Sequence, residues 1–426
     1  MFKIDGHLEV YNHRLFVGGV DSLELIKEYG SPLFVINEQR IRDNYRRYQS
    51  AFPDADIYYA VKANSNFSIL RILAREGAGA DVFSEGELYL ALLAGIHKDK
   101  ILFNGNSKTD HELKYVVETG VKVSVDSIDE LKTLAAFAKE RGETIPIAFR
   151  VNPDVSPKTH PKIATGLATS KFGIPLEKII KAYDMAQKLD TIEPVGIHCH
   201  IGSQILETTP FVEMTNKMMD LVEQIDRLGI RFEFVDLGSG LGVPYKKDET
   251  APTPQDLADA ILPVYNERAN AIGLHPRIIL EPGRYITADA TVLLTTVNMV
   301  KEAHKNFVGV DAGFNLLVRP AMYDSYHHVL LANKADLKPA GLYTIAGPVC
   351  ESGDILARDR QLPMVEKGDV IAVLDTGAYG FSMSSQYNGR PRAPEVLITE
   401  RKTCIVRERE NIDDLLVKQR LPPHLL

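Results

Sequence analysis

The stretch DIYYAVKANSNFSILRILAREGAGADVF, residues 56–83, decides the fold. It begins with an apolar run typical of a strand, Asp56–Val61, and continues with an amphipathic stretch at helical spacing, Phe67–Arg75. A second apolar run, Gly79–Phe83, follows. A strand, a helix and a strand in this order predict two parallel strands joined by a crossover helix.

The same unit recurs as far as residue 281. Six more candidate strands follow in the sequence: Ile101–Asn104, Lys122–Val125, Ile145–Val151, Pro194–His200, Phe232–Leu237 and Arg277–Glu281. The helical stretches beside them include Glu85–Ala94, Ile128–Glu140, Leu176–Leu189 and Phe211–Leu228. Eight such units within about 230 residues match a (β/α)8 TIM barrel, and an open doubly wound sheet is the alternative. Unusual polar residues at the strand ends favour the barrel, because its strand ends all converge on one mouth.

The pattern changes after Arg284. Short strands without regular helices follow, separated by Gly and Pro: Thr291–Val300, Phe307–Val310, Tyr343–Ala346, Asp369–Leu374, Glu395–Ile398 and Thr403–Arg407. We therefore predict residues 34–285 as the barrel and residues 286–426 as an all-β sandwich or barrel domain. Residues 1–33 are predicted as N-terminal strands that join this β domain.

Composition excludes several classes of protein. The formal net charge is −8, which gives no general attraction to nucleic acid. No apolar run approaches the roughly 20 residues of a membrane span, and the N-terminus does not resemble a secretory signal. The three cysteines, Cys199, Cys350 and Cys404, are too few for a disulfide framework and fit a reducing cytoplasm. No spacing pattern predicts a metal site.

Lys62 follows the first barrel strand directly, in the segment Tyr59–Asn64. At a barrel mouth its amine would lie in a partly dry pocket, where burial lowers the pKa of a lysine and makes the amine nucleophilic toward an aldehyde. A solvated lysine at a strand end is the alternative for this residue alone.

Two further loops at the mouth could bind a phosphorylated ring. Gly238, Ser239 and Gly240 follow the seventh strand, where consecutive amides can cradle a phosphate, and Ser203 could add a hydroxyl donor. A tight turn is the simpler interpretation of these glycines. Glu281, in the segment Glu281-Pro282-Gly283-Arg284, could keep a pyridine nitrogen protonated. It could equally pair with a base such as Arg284.

His198 and His200 point to the same side of the sixth strand because side chains alternate along a strand. No third ligand supports a metal site. We interpret His200 as a flat ring stacked on a flat cofactor, and His198 as structural. In the β domain Cys350 adjoins a carboxylate in a loop, although a lone cysteine is more often a small packing residue.

Together these pieces resemble the fold-type III decarboxylases that depend on pyridoxal 5'-phosphate (PLP), whose barrel is similar to that of alanine racemase. The matching segments, in the order of that family, are Tyr59–Asn64, Ser170–Gly173, His198–Gln204, Asp236–Gly242, Glu281–Arg284, Arg319–Tyr323, Cys350–Asp354 and Gly377–Tyr379. They span nearly the whole chain. The family more often has a third glycine at the position of Ser239.

The resemblance implies a role for each residue. Lys62, His200 and Cys350 are implied as catalytic, with Lys62 attached to PLP and Cys350 as the donor of the proton that replaces CO2. The implied cofactor-binding residues are Lys62, Asp81, His200, Ser203, Gly238, Ser239, Gly240, Glu281, Gly283, Arg284 and Tyr379. The implied substrate-binding residues are Arg284, Arg319, Tyr323, Glu351 and Tyr379.

The resemblance also implies a substrate and an assembly. Two arginines near the substrate suit a distal end that carries a carboxylate beside its amine, as in meso-2,6-diaminopimelate, whose decarboxylation is the last step of lysine biosynthesis. The family forms homodimers with shared active sites, in which Cys350 and Glu351 reach in from the neighbouring subunit. No nucleic acid or membrane is expected as a partner.

Four other functions remain as alternatives. A polyamine-pathway enzyme of the same fold that acts on ornithine or arginine typically has an aspartate after the cysteine, where this chain has Glu351. A racemase of similar fold would need a second base placed differently. A PLP-carrying barrel lacks the second domain. An aldolase that uses a lysine without cofactor would not need Glu281 or His200.

Overall fold

The computed structural model describes residues 7–157, 170–246 and 248–425. The chain divides into two compact units. One comprises residues 1–41, 245–249 and 287–426, and the other comprises residues 42–244 and 250–286. Residues 34–41, which the sequence places with the barrel, therefore belong to the β-rich unit, since Leu33–Asn37 is a strand of its sheet. Residues 1–6 of the predicted N-terminal strands lie outside the described residues.

The N-terminal segment contributes to the β-rich unit in two ways. Strands β1 (Leu8–Tyr11), β2 (Arg14–Val17) and β3 (Val20–Asp21) form an antiparallel sheet of their own, followed by α1 (Ser22–Tyr29). Strand β4 (Leu33–Asn37) instead pairs with two strands of the large sheet of the unit. The N-terminal segment thus shares this unit, but only β4 enters the large sheet.

The second unit is a closed parallel barrel. Its strands and one short extra strand are β5 (Asp56–Ala60), β6 (Gly79–Val82), β7 (Ile101–Phe103), β8 (Lys122–Val125), β9 (Ile145–Asn152), β10 (Ile174–Pro175), β11 (Ile192–His198), β12 (Phe234–Asp236) and β13 (Arg277–Leu280). The ring closes because β13 pairs with β5 and β8 pairs with β9, while β10 only extends from β9. The barrel predicted from the alternating pattern is confirmed.

Helices alternate with these strands. They are α2 (Glu38–Ala51), α3 (Phe67–Glu76), α4 (Glu85–Leu93), α5 (Asp110–Thr119), α6 (Ile128–Arg141), α7 (Leu176–Ala186), α8 (Thr209–Asp226), α9 (Pro254–Ile272) and the short α10 (Arg284–Thr287). Side chains just after the strands cap several of them, since Asn66, Ser84 and Ser127 each accept a backbone N–H of the next helix. The caps make the connections at the strand ends short and well defined.

Aromatic rings fill the inside of the barrel. Tyr58 and Phe234 belong to one buried cluster that joins six strands. Gly79 and Gly196 make room for them, because a Cβ at either glycine would lie 2.3–2.5 Å from the ring on the neighbouring strand.

The rest of the β-rich unit follows the barrel. Its elements are β14 (Thr291–Glu302), β15 (Asn306–Val310), α11 (Arg319–Tyr323), β16 (Val329–Leu331), β17 (Gly341–Ala346), β18 (Ile355–Leu362), β19 (Val370–Val373), β20 (Glu395–Thr399) and β21 (Lys402–Arg407). The large sheet has the order β18-β17-β15-β14-β4-β20-β21. Among the described residues no helix has the length and apolar character that a membrane span requires.

Candidate active site

Lys62 lies in a single 3-10 turn, Val61–Ala63, directly after β5. Its ammonium donates to Asp81 Oδ2 at 2.8 Å and lies 4.0 Å from the centre of the Phe83 ring. Burial raises the pKa of Asp81, as does the nearby Glu281, whereas the Lys62 charge lowers it. The amine is therefore held at the strand end by a buried carboxyl group.

Asn104, which follows β7, connects two buried acids. Its Nδ2 donates to Asp81 Oδ1 and to Glu281 Oε1, both at 2.6 Å. One hydrogen-bonded network thus links the ends of four barrel strands, β5, β6, β7 and β13, through Lys62, Asp81, Asn104 and Glu281. The sequence marks Asn104 as a polar residue at a strand end but assigns it no role.

Glu281, just after β13, is buried among charged and polar groups. Burial raises its pKa, and the positive charges of Lys62 and Arg150 lower it. His198 Nε2 lies 3.5 Å from Glu281 Oε2, and His198 Nδ1 lies 2.7 Å from Ser124 Oγ. Burial and the charge of Arg150 hold the pKa of His198 well below its ordinary value, so this imidazole is neutral at neutral pH.

The loop after β12 approaches the loop after β11 too closely for side chains. A Cβ at Gly238 would lie 2.5 Å from the Cys199 carbonyl oxygen, and one at Gly240 would lie 2.1 Å from the Gly202 carbonyl oxygen. Both glycines also have positive φ angles, +61° and +121°. Only glycine fits at these two positions, because the backbone of the neighbouring loop occupies the space of a side chain.

His200 and Arg284 bring side chains to the same loops. Ser239 N–H donates to His200 Nδ1 at 3.3 Å, so the proton of the neutral ring is on Nε2. Burial, with the charge of Lys62, lowers the pKa of His200 well below its ordinary value. Arg284 Nη2 donates to Ser203 Oγ at 2.9 Å.

These residues fit PLP. Lys62 supplies the amine that an aldehyde requires, Glu281 supplies an acid for a pyridine nitrogen, and the glycine loop with Ser203 and Arg284 supplies phosphate donors. The decisive observation is the close packing of the loop after β12 on the loop that carries His200 and Ser203, which leaves no room for a Cβ at Gly238 or Gly240. The predicted cofactor residues Asp81, Ser239 and Gly283 lie within the same unit.

In the β-rich unit Arg319 is buried and rigidly placed. Its Nη1 lies 2.8 Å from His327 Nε2, and its guanidinium lies 4.6 Å from the centre of the Tyr245 ring. His327 Nδ1 donates to the Leu374 carbonyl at 2.9 Å, so Nε2 accepts from Arg319. Tyr323, at the end of the same short helix, is half-buried.

Cys350 and Glu351 lie in an exposed loop whose backbone is held by the buried carboxyl group of Asp354. Asp354 accepts the N–H groups of Phe314 and Val349 at 2.6 and 2.7 Å, and Cys350 N–H donates to Asn388 Oδ1 at 2.7 Å. Asp354 is therefore structural, while the side chains of Cys350 and Glu351 face solvent in the single chain.

Tyr379 has a positive φ of +59°. It follows Gly377, where a Cβ would lie 1.9 Å from the Thr287 carbonyl oxygen. The close approach of the backbone at Gly377 fixes the turn that presents Tyr379.

Comparisons with known proteins agree with this site. Residues 38–288 match the family described as pyridoxal-dependent decarboxylase, pyridoxal binding domain. A diaminopimelate decarboxylase of Archaeoglobus fulgidus is 57% identical over 412 residues, which cover 97% of this chain and 98% of that protein. The chain belongs to the diaminopimelate decarboxylase family. The resemblance inferred from the sequence is thereby confirmed, as are the PLP-dependent carboxy-lyase class and the fold.

Solved structures support the same assignment. The crystal structure of diaminopimelate decarboxylase from Methanocaldococcus jannaschii has a TM-score of 0.94 and 45% identity, and covers 99% of each chain. A second structure of that protein, in complex with L-lysine, also has a TM-score of 0.94, at 44% identity and full coverage of both chains.

Sequence reasoning missed several residues of the network. Asn104, Ser124 and Asp236 were given no role, and His198 was interpreted as structural only. Their shared signal is position, because each lies in or directly after a barrel strand, near its carboxyl end. Burial next to a charged residue, which only the structure shows, makes such a position a candidate for function.

Proposed function

We propose that this protein decarboxylates meso-2,6-diaminopimelate to L-lysine and CO2 with PLP. The observation that carries the proposal is the full-length identity of 57% to a diaminopimelate decarboxylase, joined to a barrel mouth whose residues fit the cofactor. When bound, PLP draws electrons from the α-carbon and stabilises the carbanion that loss of CO2 leaves.

Within the barrel each residue then has a task. Lys62 is the amine that binds the cofactor aldehyde, and Asp81 holds it at the strand end. Glu281 pairs with the pyridine nitrogen, which requires Glu281 to be ionised. His200 offers its flat face to the ring. Ser203, whose Oγ accepts from Arg284, would hold the phosphate together with the backbone of Gly240 and of Gly283–Arg284.

The β-rich unit supplies recognition and the final proton. Arg319 suits the distal carboxylate because a guanidinium binds two oxygens at once, and Arg284 and Tyr323 assist it. Glu351 pairs with the distal amine. Cys350 gives its thiol proton to the α-carbon, and Tyr379 contacts cofactor and substrate.

We further propose a homodimer whose subunits complete each other's active sites. The exposure of Cys350 and Glu351 in the single chain supports it, because a proton donor must be shielded from water to act at the α-carbon. Mixing inactive Lys62→Ala and Cys350→Ala subunits tests this. Shared sites restore up to about a quarter of the wild-type activity through hybrid dimers, whereas sites within one subunit give none.

A cytoplasmic location is part of the proposal, and three cysteines that form no disulfide favour it.

The function is tested with PLP-loaded protein and four amino acids side by side: meso-diaminopimelate, ornithine, arginine and lysine. We expect release of CO2 from diaminopimelate alone. Release from ornithine or arginine instead would favour the polyamine-pathway alternative, and it would mean that Arg319 does not select a distal carboxylate.

A further inference from the structure

Two acids at the base of the barrel site lie against each other. Asp236, at the end of β12, and Glu281, after β13, are both fully buried, and together with His198 they offer oxygen and nitrogen atoms within 4.8 Å of one another. Neither acid has a cation as a direct ion-pair partner among the described residues, since Lys62 pairs with Asp81. Two adjacent carboxylates in such a place cannot both be charged, so the pair retains one proton.

The hydrogen bonds around the pair differ between its members. Glu281 Oε1 accepts from Asn104 Nδ2 at 2.6 Å, and His198 Nε2 faces Glu281 Oε2 at 3.5 Å. Asp236 Oδ1 accepts the Gly238 N–H at 2.7 Å, but Oδ2 is buried and accepts no hydrogen bond from any residue that the structure describes. Glu281 therefore has a donor in Asn104, whereas one oxygen of Asp236 has none among the described residues.

Charges favour the same assignment. Burial raises the pKa of Asp236 well above its ordinary value, and the charge of Glu281 raises it further. For Glu281 the effect of burial is opposed by Lys62 and Arg150, by Asn104 and by a hydrogen bond with Asp236 itself. Other titratable neighbours are Asp81, which is paired with Lys62, and the neutral His198. Cys199 and Tyr58 also lie near Asp236, and burial raises the pKa of both, so both are neutral.

We propose that Asp236 is a positioning residue for Glu281. Asp236 keeps its own proton on Oδ2 and donates a hydrogen bond through it to a Glu281 oxygen, so that Glu281 is the charged member of the pair. This inference rests on the proposed function, in which Glu281 must be ionised to pair with a pyridine nitrogen. Asp236 also fixes the glycine loop through Gly238, so one side chain connects the two ends of the cofactor site.

The test measures charge on the full-length protein without cofactor, by native capillary electrophoresis at about pH 8. Asp236→Asn removes a carboxyl group that is already neutral, so the net charge should not change, and the amide can still accept from Gly238 and donate to Glu281. The matched control is Glu76→Gln. Burial raises the pKa of Glu76, but hydrogen bonds from Arg46 and Arg42 outweigh it and lower that pKa, so this substitution should add one positive charge.

The proposal would be overturned if Asp236→Asn added the same charge as the control. Both acids would then be ionised, as they would be if the pair bound a metal ion. Infrared spectroscopy of wild-type protein labelled with 13C-aspartate gives a second test that does not depend on the variant. A protonated aspartate carbonyl band at about pH 8 supports the proposal, and no such band contradicts it. If Asp236 is ionised yet the PLP-loaded protein still decarboxylates diaminopimelate, only this inference fails.

Discussion

The barrel unit and the β-rich unit present their predicted functional residues in opposite ways. In the barrel Lys62, Asp81, Asn104 and Glu281 are tied together by hydrogen bonds of 2.6–2.8 Å. In the β-rich unit Cys350 and Glu351 stand exposed on a loop. The barrel therefore holds its predicted residues in one connected network, whereas the loop of the β-rich unit leaves its two residues accessible to substrate or to a second subunit.

The largest effect is expected at Lys62. Lys62→Ala should reduce decarboxylation by at least about 10⁴-fold, because the amine assigned to the cofactor aldehyde is removed. The absorbance of covalently bound PLP should disappear with it. Lys62→Arg is the control, since it keeps the ion pair with Asp81 but has no primary amine. If Lys62→Arg keeps the absorbance, another group binds the aldehyde.

Cys350→Ala should slow turnover by about 10²–10⁴-fold, the usual contribution of a general acid, and should leave PLP affinity unchanged. Cys404→Ala removes the other exposed thiol of the same unit and should leave both quantities unchanged. Equal effects of the two substitutions on turnover would exclude Cys350 as the proton donor.

Arg319→Lys should reduce kcat/KM for diaminopimelate by about 10–100-fold, because one ammonium cannot replace two parallel hydrogen bonds to a carboxylate. The inhibition constant of 1,5-diaminopentane, which lacks the distal carboxylate, should change much less, whereas that of the product L-lysine, which retains this carboxylate, should rise as well. A similar loss for diaminopimelate and 1,5-diaminopentane would mean that Arg319 supports the fold of the unit, through His327, rather than the substrate.

Two acids, one in each unit, should respond to pH in opposite directions. In the barrel, burial raises the pKa of Glu87 to about 7, against the Phe83 N–H that lowers it. A raised acid pKa stabilises the fold at low pH, and that contribution is lost as the pH rises from about 4.5 to about 7. Glu87→Gln should therefore gain on the order of 2–3 kcal/mol in free energy of unfolding at about pH 8 relative to wild type.

Glu410 in the β-rich unit should make the stability depend on pH in the opposite direction. Burial raises its pKa, but hydrogen bonds from Arg392 and Gln386 outweigh burial and lower the pKa to about 2. The stability that ionised Glu410 contributes is present above about pH 4.5 and is lost as the pH falls toward 2. Glu410→Gln should lower the free energy of unfolding at neutral pH, by only about 1 kcal/mol because the carboxylate is partly exposed. Denaturant unfolding at several pH values measures the free energy of unfolding of both variants. A change of the same sign in both would contradict the opposite pKa shifts of Glu87 and Glu410.

The smallest effect is expected at Ser239. Ser239→Gly restores the residue more usual in the family, and because the backbone amide remains, PLP affinity of the PLP-free protein should change by less than about fivefold. Gly240→Ala is the contrasting change. Its Cβ would collide with the Gly202 carbonyl oxygen, so PLP affinity should fall much further. Fluorescence titration with PLP measures both, and equal losses would place the phosphate elsewhere.

The sequence predicted the barrel because its strands are apolar on both faces and alternate with amphipathic helices, a pattern that depends little on distant contacts. Strand β18, Ile355–Leu362, was missed because its middle residues, Arg358–Arg360, are charged and mostly exposed and give no apolar alternation. Strand β4 was not predicted, and the barrel boundary at residue 34 divided it, because the wholly apolar run Leu33–Ile36 does not reveal which sheet a strand joins.

In the candidate site, too, some residues could be predicted from local sequence and others could not. Lys62, Glu281 and the glycine loop follow barrel strands and carry motifs, so their type and position were sufficient to predict a cofactor site. The pairing of Asp236 with Glu281, and the bridge that Asn104 makes between two acids, depend on distances across the barrel that no local pattern encodes.

The most direct measurement is the stoichiometry of products from meso-diaminopimelate with PLP-loaded wild-type and Lys62→Ala protein. We predict one L-lysine and one CO2 for each diaminopimelate consumed by the wild type, and neither product from the variant. Lysine formed without Lys62, or consumption of diaminopimelate without release of CO2, would contradict both the assigned reaction and the barrel site on which it rests.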